Sequence, residues 1–370
     1  MSCGCLVIQE VEDGEEVNSK TRDSSSSSSS SSFSRTRRCW SEDMFPIYAM
    51  GHSKPNSIAR TVLDSDGDPI WDSMRDEAKS EAEREPILSS FLYASVLSHD
   101  CLERALGFVL ANRLQNPTLL ATQLMDIFYD VMIKDRGIQQ SIRLDAQAFK
   151  DRDPACASYS WALLYRKGYR SLQSYRIAHA LWNQGRKVLA LALQSRISEV
   201  FAVDIHPAAR IGDGILLDHG TGLVIGETAV VGNCVSLMQG VTLGGTGKQI
   251  GDRHPKICQG ALIGAGTTIL GNIVVGDGAM IAAGSLVLKD VPPHRLEEKK
   301  GSDEVEAKAS EEVDCGSMAV GNPARVVGYL EDEDPSLTMK HDARKDYFEH
   351  VAISSMDGRA NGTFYCKKES

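Results

Sequence analysis

The sequence predicts an α + β protein, an N-terminal α-helical bundle domain followed by a C-terminal left-handed parallel β-helix of hexapeptide repeats. Three observations carry that reading. Apolar residues recur at helical spacing between Pro69 and about residue 200, and from Ile205 the period changes to six. Outside these two stretches the chain is polar and lacks either period.

Residues 1–68 read as a disordered, Ser-rich extension. Nine serines in a row, Ser24 to Ser32, cannot bury enough apolar surface to offset their ordering entropy. From Pro69, Trp71, Met74, Ala78 and Ala82 fall on one helical face. Pro86 is placed to open a second helix that runs from Ile87 to Leu114, and Asn116-Pro117 breaks it. Further helices are expected over Pro117–Lys134, Ile138–Phe149 and Tyr159 to about Arg196. Residues 69–200 are therefore expected to form a helical, oligomerising domain.

In the repeat, Ile205, Ile211, Leu217, Leu223, Ala229, Val235 and Val241 are each six apart, and Ile257, Ile263, Ile269, Val275, Ile281 and Val287 resume the register. Helices do not repeat at six. A parallel β-helix does, with one aliphatic per hexad pointing into a three-faced prism and small residues at the corners. The interval from Val241 to Ile257 leaves a ten-residue excursion, read as an extruded loop within 243–256. A second departure, 295–317, is rich in Glu, Lys and Ser and reads as a solvated insertion, after which Val320 to Val326 restores a hexad. The β-helix domain spans 201–329, and 330–370 is an acidic, mostly flexible tail.

Composition narrows the function. A formal net charge of −10 argues against a nucleic-acid binder, which needs a basic face to replace phosphate counterions. No apolar run approaches the ~18 residues of a membrane span. Nine scattered cysteines without a CxxC pair suit a reducing compartment. The early acids Glu10, Glu12, Asp13, Glu15 and Glu16 favour the cytoplasm, with Arg35, Arg37 and Arg38 keeping a plastid address as the alternative.

A prism interior is filled with aliphatics, so chemistry belongs on its outer faces or between copies. His219 is flanked by Asp218 and by Gly220-Thr221-Gly222, and histidine is the side chain suited to removing a proton from an alcohol near neutral pH. Asp204 lies fifteen residues earlier, close to one coil, and could orient the imidazole from below as an aspartate does in a catalytic triad. Leu243-Gly244-Gly245-Thr246-Gly247-Lys248 is not a Walker loop, although its glycines would let backbone amides approach a ligand. Lys248 and Lys289 are candidate charges for a cofactor diphosphate. Hexapeptide prisms also carry zinc in carbonic anhydrases. His206, His219 and His254 show no close ligand spacing, and no metal is expected.

Several strings resemble serine O-acetyltransferases, the plant branch in particular: Asp204-Ile205-His206-Pro207, Leu217-Asp218-His219-Gly220-Thr221-Gly222, Gly226-Glu227-Thr228-Ala229, Gly244-Gly245-Thr246-Gly247-Lys248 and Gly251-Asp252-Arg253-His254-Pro255-Lys256. Asp151-Arg152-Asp153-Pro154-Ala155 and Leu181-Trp182-Asn183-Gln184-Gly185-Arg186 match the helical part of that family. The resemblance implies acetyl transfer from acetyl-CoA, as co-substrate with no permanently bound cofactor, to the hydroxyl of L-serine for cysteine synthesis. His219 would be the general base and Asp204 its orienter. The resemblance implies that Asp153, Asp218, Arg253 and His254 hold the amino acid, and that Gly245, Ala265 and Ala283 line the CoA arm between subunits. It also implies trimers through the β-helix, paired into hexamers through the helical domains.

Three departures stand out. Met280 replaces a lysine found in several relatives, and the 295–317 insertion is unusual. Relatives that dock into O-acetylserine sulfhydrylase end in isoleucine. This chain ends Lys367-Lys368-Glu369-Ser370, which argues against that complex. The alternatives are an acetyltransferase for another small alcohol, and a low-activity homologue acting as regulatory subunit in mixed hexamers.

Overall fold

The computed structural model describes residues 67–247, 250–293, 316–330 and 335–339. The expectations for the N-terminal extension, for Lys248, for most of the insertion and for most of the tail lie outside the described residues.

The helical region begins as the sequence predicts. Asp68 accepts a hydrogen bond from the Trp71 amide at 3.2 Å and Pro69 opens helix α1 (Pro69–Arg84), which buries Trp71, Met74 and Ala78. The stretch from Ile87 is not one helix. It runs as a 3₁₀ turn (Pro86–Leu88), the short α2 (Ser89–Leu92), a π turn (Tyr93–Leu97) and then α3 (Leu102–Leu114). The polar run Ser98-His99-Asp100 explains the break: the Ser98 amide reaches back to the Tyr93 carbonyl at 2.9 Å, and His99 Nε2 meets the Ala94 carbonyl at 2.9 Å.

Pro117 does not start the next helix either. The Asn116 side chain accepts from the amides of Thr118 (2.9 Å) and Leu119 (2.8 Å), a turn that delays α4 (Ala121–Lys134). Helix α5 (Arg136–Arg152) is longer than expected, capped by Asp135. The stretch read as one helix from Tyr159 is three: α6 (Tyr159–Tyr165), α7 (Lys167–Asn183) and α8 (Lys187–Phe201).

The repeat folds into a parallel prism with three sheets. One face holds β1 (Val203–Ile205), β4 (Leu223–Ile225), β7 (Thr242–Gly244), β10 (Thr268–Leu270) and β13 (Leu286–Val287), in that order. The second face holds β2 (Arg210–Ile211), β5 (Val230–Val231), β8 (Lys256–Ile257) and β11 (Val274–Val275). The third holds β3 (Leu216–Leu217), β6 (Ser236–Leu237), β9 (Leu262–Ile263) and β12 (Met280–Ile281), extended by β14 (Gly316–Gly321) and β15 (Ala324–Leu330). The expected guide residues are buried in the prism except Ile211, which is half-buried. Each buried aliphatic is worth ~1.5–3 kcal/mol relative to exposure.

The strand register corrects the sequence reading in one informative way. Ile205 pairs with Ile225 and Leu217 with Leu237, twenty residues apart, whereas Val224 pairs with Thr242 at eighteen. The two additional residues sit in the corner Asp218–Gly222: Leu217 to Val224 takes seven steps, and the partners Leu237 to Thr242 take five. Leu223 and Ile225 both point inward because strand side chains alternate, so counting by sixes slides past the slip unnoticed. The same slip makes the extruded loop eight residues long rather than ten, since Leu243 pairs with Ile269 at twenty-six.

The C-terminal end differs as well. Val320–Val326 does not restore a hexad; β14 and β15 form an antiparallel hairpin, and the insertion ends before Gly316, since Ser317 is buried in β14. Met280 packs with Leu262 and Met318 on the outer side of the third face, so it is not a free surface residue.

Bundle and prism are joined by buried polar contacts. Arg176 on α7 pairs with the fully buried Asp145 on α5 at 2.8 Å and donates to the Gly212 carbonyl at 2.7 Å, while the Ile215 amide donates to Asp145 at 2.9 Å. A buried pair costs desolvation unless its remaining donors and lone pairs are used, and here each partner also bonds prism backbone. Arg152 donates to the Cys234 carbonyl and the Ser236 hydroxyl, both at 3.2 Å. These ties hold α5 and the middle of α7 against the first two coils of the prism.

Candidate active site

A cleft of about 460 Å³ lies where the bundle meets the prism, lined by Asp153, Arg166, Lys167, Gly168, Asp218, His219 and Thr221 among others. Its floor is the corner Asp218–Gly222, the one with two additional residues. His219 adopts φ +54° there, a left-handed conformation that costs a non-glycine residue about a kilocalorie and tends to be kept at functional sites. The side chain is 73% exposed, and the nearest acid is Asp218, 3.8 Å from Nε2. Gly168, the second residue of α7, touches this corner: a Cβ on it would lie 1.9 Å from the Leu217 carbonyl oxygen, so only glycine allows the helix to approach.

Two carboxylates face the imidazole from different elements. Asp153, at the end of α5, pairs with Arg166 at 3.1 Å and accepts from the Ala155 amide at 2.8 Å. Asp218 has its pKa raised above the ordinary carboxylate value, first by burial and then by Asp153, with His219 and Arg166 opposing. The cleft thus holds an exposed base beside two acids, one of which is free of a cationic partner at hydrogen-bonding distance. That is the equipment to hold an ammonium group and deprotonate a neighbouring hydroxyl.

Asp204 is not where the sequence reading put it. Because the first coil has twenty residues, Asp204 lies beneath Val224 and not beneath His219. Its carboxylate accepts from Gln194 Nε2 at 2.7 Å and opens on a separate groove beside α8, lined by Leu191, Gln194, Ser195, Ser198 and Glu199.

Arg253 and His254 lie at another edge of the same face. The extruded loop leaves at the end of β7 and returns at β8, on the far side of the first face from His219. Arg253 pairs with Glu227 at 2.7 Å and holds that carboxyl below its usual range. The His254 side chain is buried against Gly226, where a Cβ would lie 2.0 Å from Nε2, and its Nδ1 accepts from the Thr228 amide at 3.1 Å. Burial, then the Arg253 charge, lowers the His254 pKa, and burial likewise lowers that of His206 on this edge.

The residues implied for the CoA arm also divide between edges. Ala265 and Ala283 stack on the edge of His219, two and three coils on, as the amides of Gly240, Gly266 and Gly284 bond in turn to the carbonyls of Thr221, Gln239 and Ala265. Gly245 is at the root of the loop, against the Arg253 stem. Lys289 is exposed and Lys248 lies outside the described residues. His206 and His254 share an edge that His219 does not, and among the described residues no His, Cys, Asp or Glu cluster suits a metal.

Sequence reading missed Arg166, Lys167 and Thr221. Its single helix from Tyr159 hid the α6–α7 junction, although a glycine after two bases in mid-helix was the signal available.

Known proteins share this architecture. The family described as "Serine acetyltransferase, N-terminal" matches residues 70–174, and the one described as "Bacterial transferase hexapeptide (six repeats)" matches 254–289. A curated relative from Oryza sativa subsp. japonica, "Probable serine acetyltransferase 2", is 70% identical over 371 residues, spanning 98% of this chain and 99% of its own. A soybean serine acetyltransferase solved with serine superposes with a TM-score of 0.63 at 53% identity, over 70% of this chain and 97% of that one. A Brucella abortus serine acetyltransferase solved with coenzyme A gives 0.64 at 46% identity, over 71% and 97%.

Proposed function

The chain belongs to the serine acetyltransferase family and transfers acetyl from acetyl-CoA to serine in cysteine biosynthesis; we propose that it does so by direct attack, with His219 as general base. The observation that carries this reading is the exposed imidazole of His219 on a lengthened corner, facing Asp153 and Asp218 across one cleft. Serine's ammonium sits against those carboxylates and its hydroxyl faces the imidazole. The base takes the hydroxyl proton as the oxygen attacks the thioester carbon. Collapse of the intermediate breaks the C–S bond, and the proton returns to the departing thiolate.

Within one chain Arg166 is paired with Asp153, and Arg253 with His254, the residues implied for the serine carboxylate, sits across the first face. Both halves are complementary if copies pack edge to edge, so that the loop of one copy covers the His219 edge of the next. The CoA arm then runs along Ala265 and Ala283 of one copy beside Gly245 of its neighbour. A homotrimer closes that arrangement by rotation. Exposed Ile87, Leu88, Phe91, Trp161 and Tyr165 give the helical region an apolar surface for pairing trimers.

The test is release of CoA from acetyl-CoA with L-serine, homoserine or no acceptor. Serine-dependent release should fall ~10²–10⁴-fold in His219→Ala. Preference for homoserine would reassign the acceptor, and no release from a folded oligomer would favour a regulatory subunit.

A further inference from the structure

Attack on the thioester turns its carbonyl oxygen into an alkoxide, which needs a donor aimed at it. The corner beneath the cleft has few to offer. The amide of Asp218 is bonded to the Leu237 carbonyl at 2.9 Å, that of Gly220 to Asp218 at 2.6 Å, that of Gly222 to Ala202 at 2.8 Å and that of Leu223 to Gly220 at 3.1 Å. His219 is occupied as base, and Arg166 is held by Asp153 at 3.1 Å.

Lys167 remains. It is the first residue of α7, lines the same cleft and directs its Nζ to the hydroxyl of Thr221, two residues beyond His219. Among the described residues no carboxylate pairs with it; a neutral hydroxyl is the partner its ammonium has. The stem is fixed, because Gly168 beside it is wedged against the Leu217 carbonyl. Helix α7 also lacks a side-chain N-cap, so its positive end adds to the field at this corner.

We propose that Lys167 is a catalytic residue of this reaction, its ammonium donating to the thioester carbonyl oxygen as negative charge develops there. The proposal rests on the His219 reading above. The serine oxygen–carbon bond forms, the carbonyl π pair moves to oxygen against the Lys167 ammonium, and the pair returns as the C–S bond breaks. Lys167 keeps its proton throughout; the one proton that moves passes from serine through His219 to sulfur. Partial burial lowers the lysine pKa from its ordinary value, which makes the ammonium a better donor.

The experiment is steady-state kinetics of Lys167→Met, Lys167→Arg and Thr221→Val in the full chain, with calorimetric binding of serine and CoA. Lys167→Met should lose ~10²–10³-fold in kcat, the range for removing one oxyanion donor, with both KM values and both Kd values within about threefold. Lys167→Arg should recover part of that loss, and Thr221→Val, which frees the ammonium from its anchor, should lower kcat less and leave KM alone. A kcat for Lys167→Met within about threefold of the parent, or a loss found wholly in KM and Kd, overturns the proposal. Should Lys167→Met fail to fold, the Thr221→Val and Lys167→Arg values decide, and unchanged kcat in the first with no activity in the second also overturns it. His219→Ala run alongside separates the readings: turnover surviving there removes the base assignment, whereas its loss beside an active Lys167→Met removes only the lysine.

Discussion

The two edges that bound the first face of the prism are built on opposite plans. At the His219 edge the backbone is held by helix α7 and by consumed amides, and the imidazole is left exposed with no tight partner. At the loop edge the side chains are engaged with one another: Arg253 with Glu227, Lys256 with Asp252 at 2.5 Å, His254 with Thr228. The difference teaches which groups are ready. A base must be free to take a proton, so rigidity is supplied by main chain and glycine packing. The loop keeps its charges in internal pairs, which a ligand would have to displace to engage Arg253.

The sharpest way to break this contrast is Gly168→Ala. A methyl 1.9 Å from the Leu217 oxygen meets backbone, which cannot swing aside, and overpacking of that kind costs about 3 kcal/mol or more. Thermal unfolding should shift down by several degrees and turnover should fall with it, because α7 and the His219 corner move apart. An unchanged melting temperature and unchanged kcat would show that the helix does not brace the corner.

The contrast between edges is sharpened next by Arg253→Ala. Loss of the guanidinium should raise the serine KM by ten-fold or more while the protein stays folded, since the surface pair with Glu227 contributes little to stability. In the proposed trimer the halves of the site come from different copies, so co-expressed Arg253→Ala and His219→Ala chains should form mixed oligomers with more activity than either parent alone. Additive, unrescued activity in verified mixed oligomers would place both halves in one chain.

How legible was this in the sequence? The prism was, because an inward aliphatic every six residues leaves its mark whatever the surroundings, and Asp153, Asp218 and His219 do share one cleft. The helix boundaries were not. Ser98, Asn116 and Arg166 end or delay helices through local hydrogen bonds and backbone turns that apolar periodicity does not register. The contact of Asp204 with His219 failed for a single reason. Three hexads make a coil of eighteen, and two additional residues in the His219 corner carry Asp204 beneath Val224 instead. The split of Arg253 and His254 from the cleft follows from where the loop leaves the prism, which sequence distance cannot report.

The finest distinction between the edges is their response to acid. Nδ1 of His254 accepts the Thr228 amide, so it carries no proton, and the Thr228 hydroxyl in turn accepts from the amides of Arg253 (3.0 Å) and His254 (3.1 Å). Burial and then Arg253 lower the His254 pKa, with Lys256 and His206 adding and Glu227 opposing. In the unfolded chain this imidazole titrates near the ordinary value of 6.5, so below that pH the unfolded state binds the proton first. The stability that the neutral ring contributes is therefore complete above about pH 6.5 and is lost as pH falls toward and through the lowered folded value. Hydrogen exchange at pH 7.5 and 5.5, corrected for intrinsic rates, should show the Arg253 and His254 amides losing protection by several-fold at the lower pH. The amides of Gly220 and Gly222 at the His219 edge, held by main-chain carbonyls, should change little. Equal losses at both edges would mean that acid loosens the prism as a whole, and that the histidine is not what locks the loop.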